Sequence, residues 1–215
     1  MWKSRLTEVE LRKLLDEAKN PSSRSKKRGY LSAQPWFYPA VAFAAYTGAR
    51  RGEVLALRWS DMSFELRSVT IARSITERME VKATKNDKSR RISMPEPLVA
   101  ILKAHQAQQE KEKAVLGSAY RDEDLVFARA DGSAVNPWNF GRSVLDCIKR
   151  AKVTPITLHG LRDTHASLCA QAGVPIEVVS QRLGHASIGV TVERYLHVYR
   201  SRDTEAADAF GRLVG

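Results

Sequence analysis

The sequence predicts an α+β domain, mostly helical, with a small antiparallel sheet. Apolar residues recur at the three- and four-residue spacing of a buried helix face through most of the chain. Strand character is confined to Val69-Thr70-Ile71-Ala72, a second stretch around Arg91-Ile92-Ser93-Met94, and the short Leu125-Val126-Phe127. The first two flank the polar segment Lys82 to Arg90, which suits a hairpin and therefore an antiparallel pair.

In chain order, Thr7-Glu8-Val9-Glu10 is a capping-box pattern followed by Leu11, Leu14, Leu15 and Ala18, so a first amphipathic helix is expected from about Thr7 to Lys19. Asn20 to Gln34 is polar and holds Arg24, Lys26, Lys27 and Arg28 beside Pro21 and Gly29, an exposed loop that either stays solvated or meets a polyanion backbone. Pro35 marks the start of a core helix over Trp36 to Tyr46, which ends near Thr47-Gly48, and Arg51 to Trp59 reads as helical again. Pro97 to Leu116 is a long helix with many exposed polar residues, and Asp131-Gly132 is a turn. From Pro137 onward helices are expected at about 138–151, 159–172, 175–183 and 188–198, with a last one from Thr204. There is no internal repeat.

With 215 residues, 43% hydrophobic and 27% charged, the chain can bury one sizeable core and reads as a single domain over 1–215, with a tail at about 203–215. The net charge of +11 favours a polyanionic partner through counterion release, although a merely solvated basic surface would have the same composition. Cys147 and Cys169 fall in helical apolar patterns without C-x-x-C spacing, so they read as buried thiols of a reducing compartment. No long apolar run and no secretory leader pattern occurs, and a soluble cytoplasmic protein is expected.

Chemistry concentrates in four places: Thr47-Gly48-Ala49-Arg50-Arg51-Gly52-Glu53, Ala83-Thr84-Lys85-Asn86, His159-Gly160-Leu161-Arg162, and Leu183-Gly184-His185 running on to Tyr195. A phosphodiester repels nucleophiles, and its pentacoordinate transition state gathers more negative charge. Guanidiniums answer both, because they stay charged and offer a planar fork to phosphate oxygens. Arg50, Arg51, Arg58 and Arg162 are all candidates, with a solvated face as the alternative for any one of them. Glu53, three residues after Arg50, can hold that side chain by an i,i+3 contact. His159 and Arg162 share a helix face, so His159 can bond a phosphate oxygen or take a proton. His165 lies about 120° off that face, which makes it core or supporting. No carboxylate cluster or H-E-x-x-H spacing accompanies the histidines, so no metal is expected. A tyrosine hydroxyl, with its ordinary pKa of about 10, needs such a cationic setting to attack.

In their order and intervals these segments resemble the catalytic domain of the tyrosine recombinases, the phage-integrase family, over nearly the whole chain. The resemblance implies that Tyr195 is the nucleophile, with Tyr199 as its rival on the same helix face, and that Arg50, Arg162, His159 and His185 surround the scissile phosphate. It implies that Lys85 protonates the leaving 5′-oxygen, with Lys82 and Lys88 as nearby alternatives and further DNA contacts. Double-stranded DNA is the implied partner, bound by a homotetramer on two sites, with neither nucleotide nor metal nor other cofactor. An N-terminal core-binding domain common in the family is expected to be missing from this chain, which then reads as an excised fragment or truncated protein. The tail, with Ala207, Phe210 and Val214 on one stripe, docks on a neighbouring protomer or closes its own core. A type IB topoisomerase shares the chemistry, and the spacing of residues 164–185 also suits a non-enzymatic helix-turn-helix regulator.

Overall fold

A computed structural model of the protein describes residues 5–21, 31–83, 89–193 and 203–214. Helix α1 (Glu8–Lys19) opens with the expected capping box: the Thr7 hydroxyl accepts from the Glu10 amide at 3.2 Å and the Glu10 carboxylate accepts from the Thr7 amide at 2.9 Å. The same carboxylate accepts from the hydroxyl and amide of Thr154, at 2.6 and 2.9 Å, fastening α1 to a distant loop. Thr154, and then Thr7, thereby hold the Glu10 carboxyl down at about 2.

Helix α2 (Phe37–Thr47) is buried on nearly every side, which its almost uniformly apolar sequence requires. It ends where Gly48 turns left-handed at φ +66°. Around it pack α1, α4 (Glu96–Leu116) and α6 (Leu158–Gln171). Phe37 and Phe140 meet edge to face with ring centroids 6.0 Å apart, joining α2 to α5 (Pro137–Ala151) inside the main core. Helix α5 starts at Asn136, whose side chain accepts from the amides of Trp138 and Asn139. Helix α6 is capped by Thr157, and α7 (Ile176–Leu183) ends at Gly184, again left-handed.

Helix α3 is shorter than the sequence predicts, covering only Arg51–Leu55. The expected continuation to Trp59 is replaced by non-local pairing: the Leu57 carbonyl accepts from the Val126 amide at 2.9 Å, the Trp59 amide donates to the Asp124 carbonyl, and Trp59–Asp61 forms a 3-10 turn. The same pairing accounts for the expected strand at Leu125–Phe127. Of that strand only Leu125 bridges, to Arg58, and a second isolated bridge joins Ala128 to Ala134 across the Asp131-Gly132 turn.

The sheet is antiparallel and falls into two pieces. Strands β1 (Met62–Ser63), β2 (Ser68–Ile71) and β5 (Arg90–Ser93) form one, in the order β1-β2-β5 with buried Val69 opposite buried Ile92. A separate ribbon pairs β3 (Arg73–Ile75) with β4 (Val81–Ala83). Gly52 of α3 packs on this ribbon so closely that an added Cβ would meet Ser74 Oγ and lie 2.5 Å from the Ile75 carbonyl.

Helical turns occupy residues 188–193, and α8 (Asp203–Val214) follows. Cys147 is buried and Cys169 half-buried, neither in a disulfide, and burial pushes the Cys147 thiol up to about 12. Among the described residues no helix is long and apolar enough to cross a membrane.

Candidate active site

Arg162 sits on α6 and is 2% exposed, yet both ends of its guanidinium are engaged: Nη1 donates to the Gly48 carbonyl at 2.8 Å and Nη2 to the Leu183 carbonyl at 2.7 Å. One side chain thus ties together the ends of α2, α6 and α7. Gly48 can take its place there only because it lacks a side chain: a Cβ would lie 2.7 Å from Leu183 Cδ2 and 2.9 Å from His165 Cδ2. Two residues on, Arg50 opens α3 and remains 43% exposed.

Glu53 is 3% exposed and holds Arg50 twice, accepting from its Nη1 at 2.8 Å and from its amide at 2.8 Å. Arg90, at the start of β5, reaches the same carboxylate with both Nη1 and Nη2, at 3.1 and 2.7 Å, while its Nε donates to the Arg182 carbonyl at 3.0 Å. Burial works against ionising Glu53, but Arg90 foremost and Arg50 after it hold the carboxyl below its ordinary value.

Arg50 and Arg162 line one cavity of about 440 Å³ together with Arg51, Arg142, His159 and Trp138, and among the described residues none that lines it is acidic. His159, on the first turn of α6, is half-exposed, with Nε2 3.9 Å from Asp163. Arg51 is paired with Glu77 at 2.7 Å, and the Arg142 guanidinium lies 5.0 Å from the centre of the exposed Trp138 ring. Such a surface attracts an anion whose charge it can meet from several sides.

His185 follows Gly184, whose carbonyl lies 3.5 Å from Arg50 Nη2; the His185 Nδ1 is 2.6 Å from the hydroxyl of buried Thr191. It is absent from the cavity lining. His165 is buried behind the site. Its Nε2 accepts from Arg182 Nε at 3.1 Å, which leaves Nδ1 to donate to the Ala45 carbonyl at 3.0 Å. Burial, then Arg182, drives its pKa down to about 4, so the ring is neutral. The α6–α7 turn, whose spacing also suits a DNA-reading module, packs Ala166 against Val179 and Leu183 in a small core of its own.

Tyr195, Tyr199, Lys85, Lys88, Arg24, Lys26, Lys27 and Arg28 lie outside the described residues. Lys82 is exposed on β4 and 2.8 Å from Glu80. Among the described residues no three His, Cys, Asp or Glu side chains gather as a metal site would need. Sequence reasoning missed Arg90, Trp138 and Arg142. Arg90 gave no periodic signal, since its partner is on another element. The i,i+4 spacing of Trp138 and Arg142 just after the Asn136-Pro137 cap was a usable sign of a cation over an aromatic face.

Comparison with known proteins identifies the family and the fold. Residues 4–202 match the phage integrase family. A "tyrosine recombinase XerC-like" protein of Caldanaerobacter subterraneus subsp. tengcongensis is 30% identical over 184 residues, covering 78% of this chain and 47% of the relative. The ICEBs1 integrase of Bacillus subtilis is 31% identical over 182 residues, covering 83% of this chain and 48% of the relative. The chain thus spans about half the length of the curated relatives it matches. The crystal structure of XerA recombinase superposes with a TM-score of 0.73 at 25% identity, covering 96% of this chain and 66% of that one. With a family match over nearly its whole length and the fold to accompany it, the chain belongs to the phage integrase family.

Proposed function

We propose that the chain carries the catalytic site of a site-specific DNA recombinase or integrase that cleaves and rejoins strands through a 3′-phosphotyrosine on Tyr195. The observation that carries this reading is the meeting of Arg50 and Arg162, from opposite halves of the chain, with His159 on one cavity that no acidic side chain lines among the described residues. A phosphodiester placed there has guanidinium donors for its non-bridging oxygens as charge builds in the transition state. The Tyr195 hydroxyl attacks phosphorus and loses its proton, with His159 as the acceptor. The bond to the 5′-oxygen breaks as Lys85 supplies the proton that oxygen needs. His185 adds a hydrogen bond to the phosphate, and Glu53 fixes the Arg50 side chain. One ester replaces another, so bond energy is conserved and the 5′-hydroxyl can reverse the step without nucleotide or metal.

The partner in this reading is double-stranded DNA, which suits the net charge of +11. Lys82, Lys88 and the basic run Arg24, Lys26, Lys27 and Arg28 are its further contacts. The working form is a homotetramer on two DNA sites, acting in the cytoplasm. The test is to incubate the protein with a nicked duplex that traps cleavage. A protease-sensitive covalent adduct on the 3′-phosphate is expected, and no adduct on any duplex would overturn the reading. Products joined from two duplexes mark a recombinase, whereas adducts with resealing of one duplex only would mark a topoisomerase.

A further inference from the structure

The Glu53 carboxylate sits between two guanidiniums of unequal exposure. Arg90 is 10% exposed at its side chain and Arg50 is 43% exposed, while Glu53 itself is 3% exposed. Arg90 takes the fork, one donor to each carboxylate oxygen, which is the stronger and more directional way for arginine to meet a carboxylate. Arg50 is left with a single side-chain bond to Oε1, beside the bond from its own amide. Two positive groups and one negative group leave one charge over. Because Arg90 is buried and grips both oxygens, that charge stands at Arg50, on the cavity side.

Arg90 is itself fixed. Its Nε donates to the Arg182 carbonyl, and its side chain lies so close over Gly184 that a Cβ there would be 2.9 Å from Arg90 Cδ. Gly184 adopts φ +68°, a backbone that also disfavours a side chain. The end of α7 therefore forms a seat for Arg90 and, through the Gly184 carbonyl, a weak rest for Arg50 Nη2.

We propose that Arg90 is a positioning residue: it neutralises Glu53 so that the Arg50 charge stays available to the phosphate. Without it, Glu53 would take Arg50 as its only partner, by the fork now given to Arg90, and would cancel the charge the reaction uses. The inference rests on the reading of Arg50 as a phosphate-binding group.

The test is single-turnover cleavage of a nicked duplex, once with an ordinary scissile phosphate and once with a methylphosphonate, whose missing negative charge relieves the need for Arg50. On the ordinary substrate Arg90→Gln is expected to be slower by about 10–100-fold, somewhat less than the 10²–10³-fold lost with a direct oxyanion donor. DNA affinity should stay within a few-fold, the deficit should largely vanish on the methylphosphonate, and adding Glu53→Gln to Arg90→Gln should recover activity. Arg90→Lys, which keeps the charge, should stay within a few-fold of wild type. An active wild type with an Arg90→Gln variant that is unaffected, or equally slow on both substrates, overturns the inference alone. So does a Lys variant as slow as the Gln variant. A wild type that forms no adduct on either substrate overturns both the inference and the reading beneath it.

Discussion

The guanidinium of Arg162 donates a 2.8 Å hydrogen bond to the carbonyl of Gly48, two residues before Arg50. The two arginine motifs, far apart in sequence, are therefore held in register by main chain rather than by side-chain packing alone. A backbone acceptor cannot be repositioned by a rotamer change, so the bond fixes where the second guanidinium sits relative to the first.

Lysine at either position keeps the charge and loses the fork, so cleavage by Arg50→Lys or Arg162→Lys should fall by about 10²–10³-fold. Their melting temperatures should differ. Arg162→Lys cannot reach both carbonyls and leaves a buried acceptor unpaired, at a cost of about 1–3 kcal/mol. Half-exposed Arg50→Lys should melt close to wild type. Calorimetry beside single-turnover cleavage checks both, and an Arg50→Lys enzyme of full activity would contradict the assignment.

Gly48→Ala should destabilise by about 1–3 kcal/mol, since it combines a left-handed backbone with a contact of 2.7 Å to Leu183. Gly211→Ala is the control. Gly211 lies within α8 with no heavy atom within 4 Å of an added Cβ, so alanine there should be neutral or stabilising by up to about 1 kcal/mol. Chemical denaturation of the two variants measures the difference.

The helices were legible because their signals are local. The Thr7 capping box, the glycine stop at Gly48, and the apolar run of α2 each act within a turn or two of chain. Residues 56–59 misled because backbone groups of Leu57 and Trp59 pair with Val126 and Asp124, a choice made by tertiary packing that no periodicity in either segment records. The split of the sheet was hidden for a similar reason, since β3 and β4 are only three residues each. Arg50, His159 and Arg162 could be picked out by motif, and the fold brings all three to one cavity. Arg90 could not, because an arginine in a strand looks the same whether it meets solvent or a buried glutamate.

His165 gives the protein an acid-sensitive joint. Its folded pKa of about 4 lies below the ordinary 6.5, so the unfolded chain binds the extra proton first. The stability it contributes is present above about pH 6.5 and is lost progressively as the pH falls toward 4. Melting temperature should therefore drop through this window, and His165→Gln, which does not titrate there, should show a flatter profile. Identical slopes in the two proteins would place the acid sensitivity elsewhere.

In α8 the side chains from residue 207 to 214 are exposed, with Phe210 at 66%, so the apolar stripe of Ala207, Phe210 and Val214 is not spent on the chain's own core. Deleting residues 204–215 should leave the melting temperature nearly unchanged and reduce the assembled complexes formed on DNA. Gel mobility of protein–DNA assemblies reads the second effect. A large fall in melting temperature would show that the tail supports the fold in cis.

Whether Tyr195 attacks DNA is read from peptide mapping of the trapped adduct. Adduct formed on a nicked duplex is digested with protease, and the tyrosine bearing the nucleotide is located by mass spectrometry. The modification is expected on Tyr195, with loss in Tyr195→Phe at a DNA affinity within a few-fold of wild type and retention in Tyr199→Phe. A nucleotide on Tyr199, or an adduct that survives Tyr195→Phe, would contradict it.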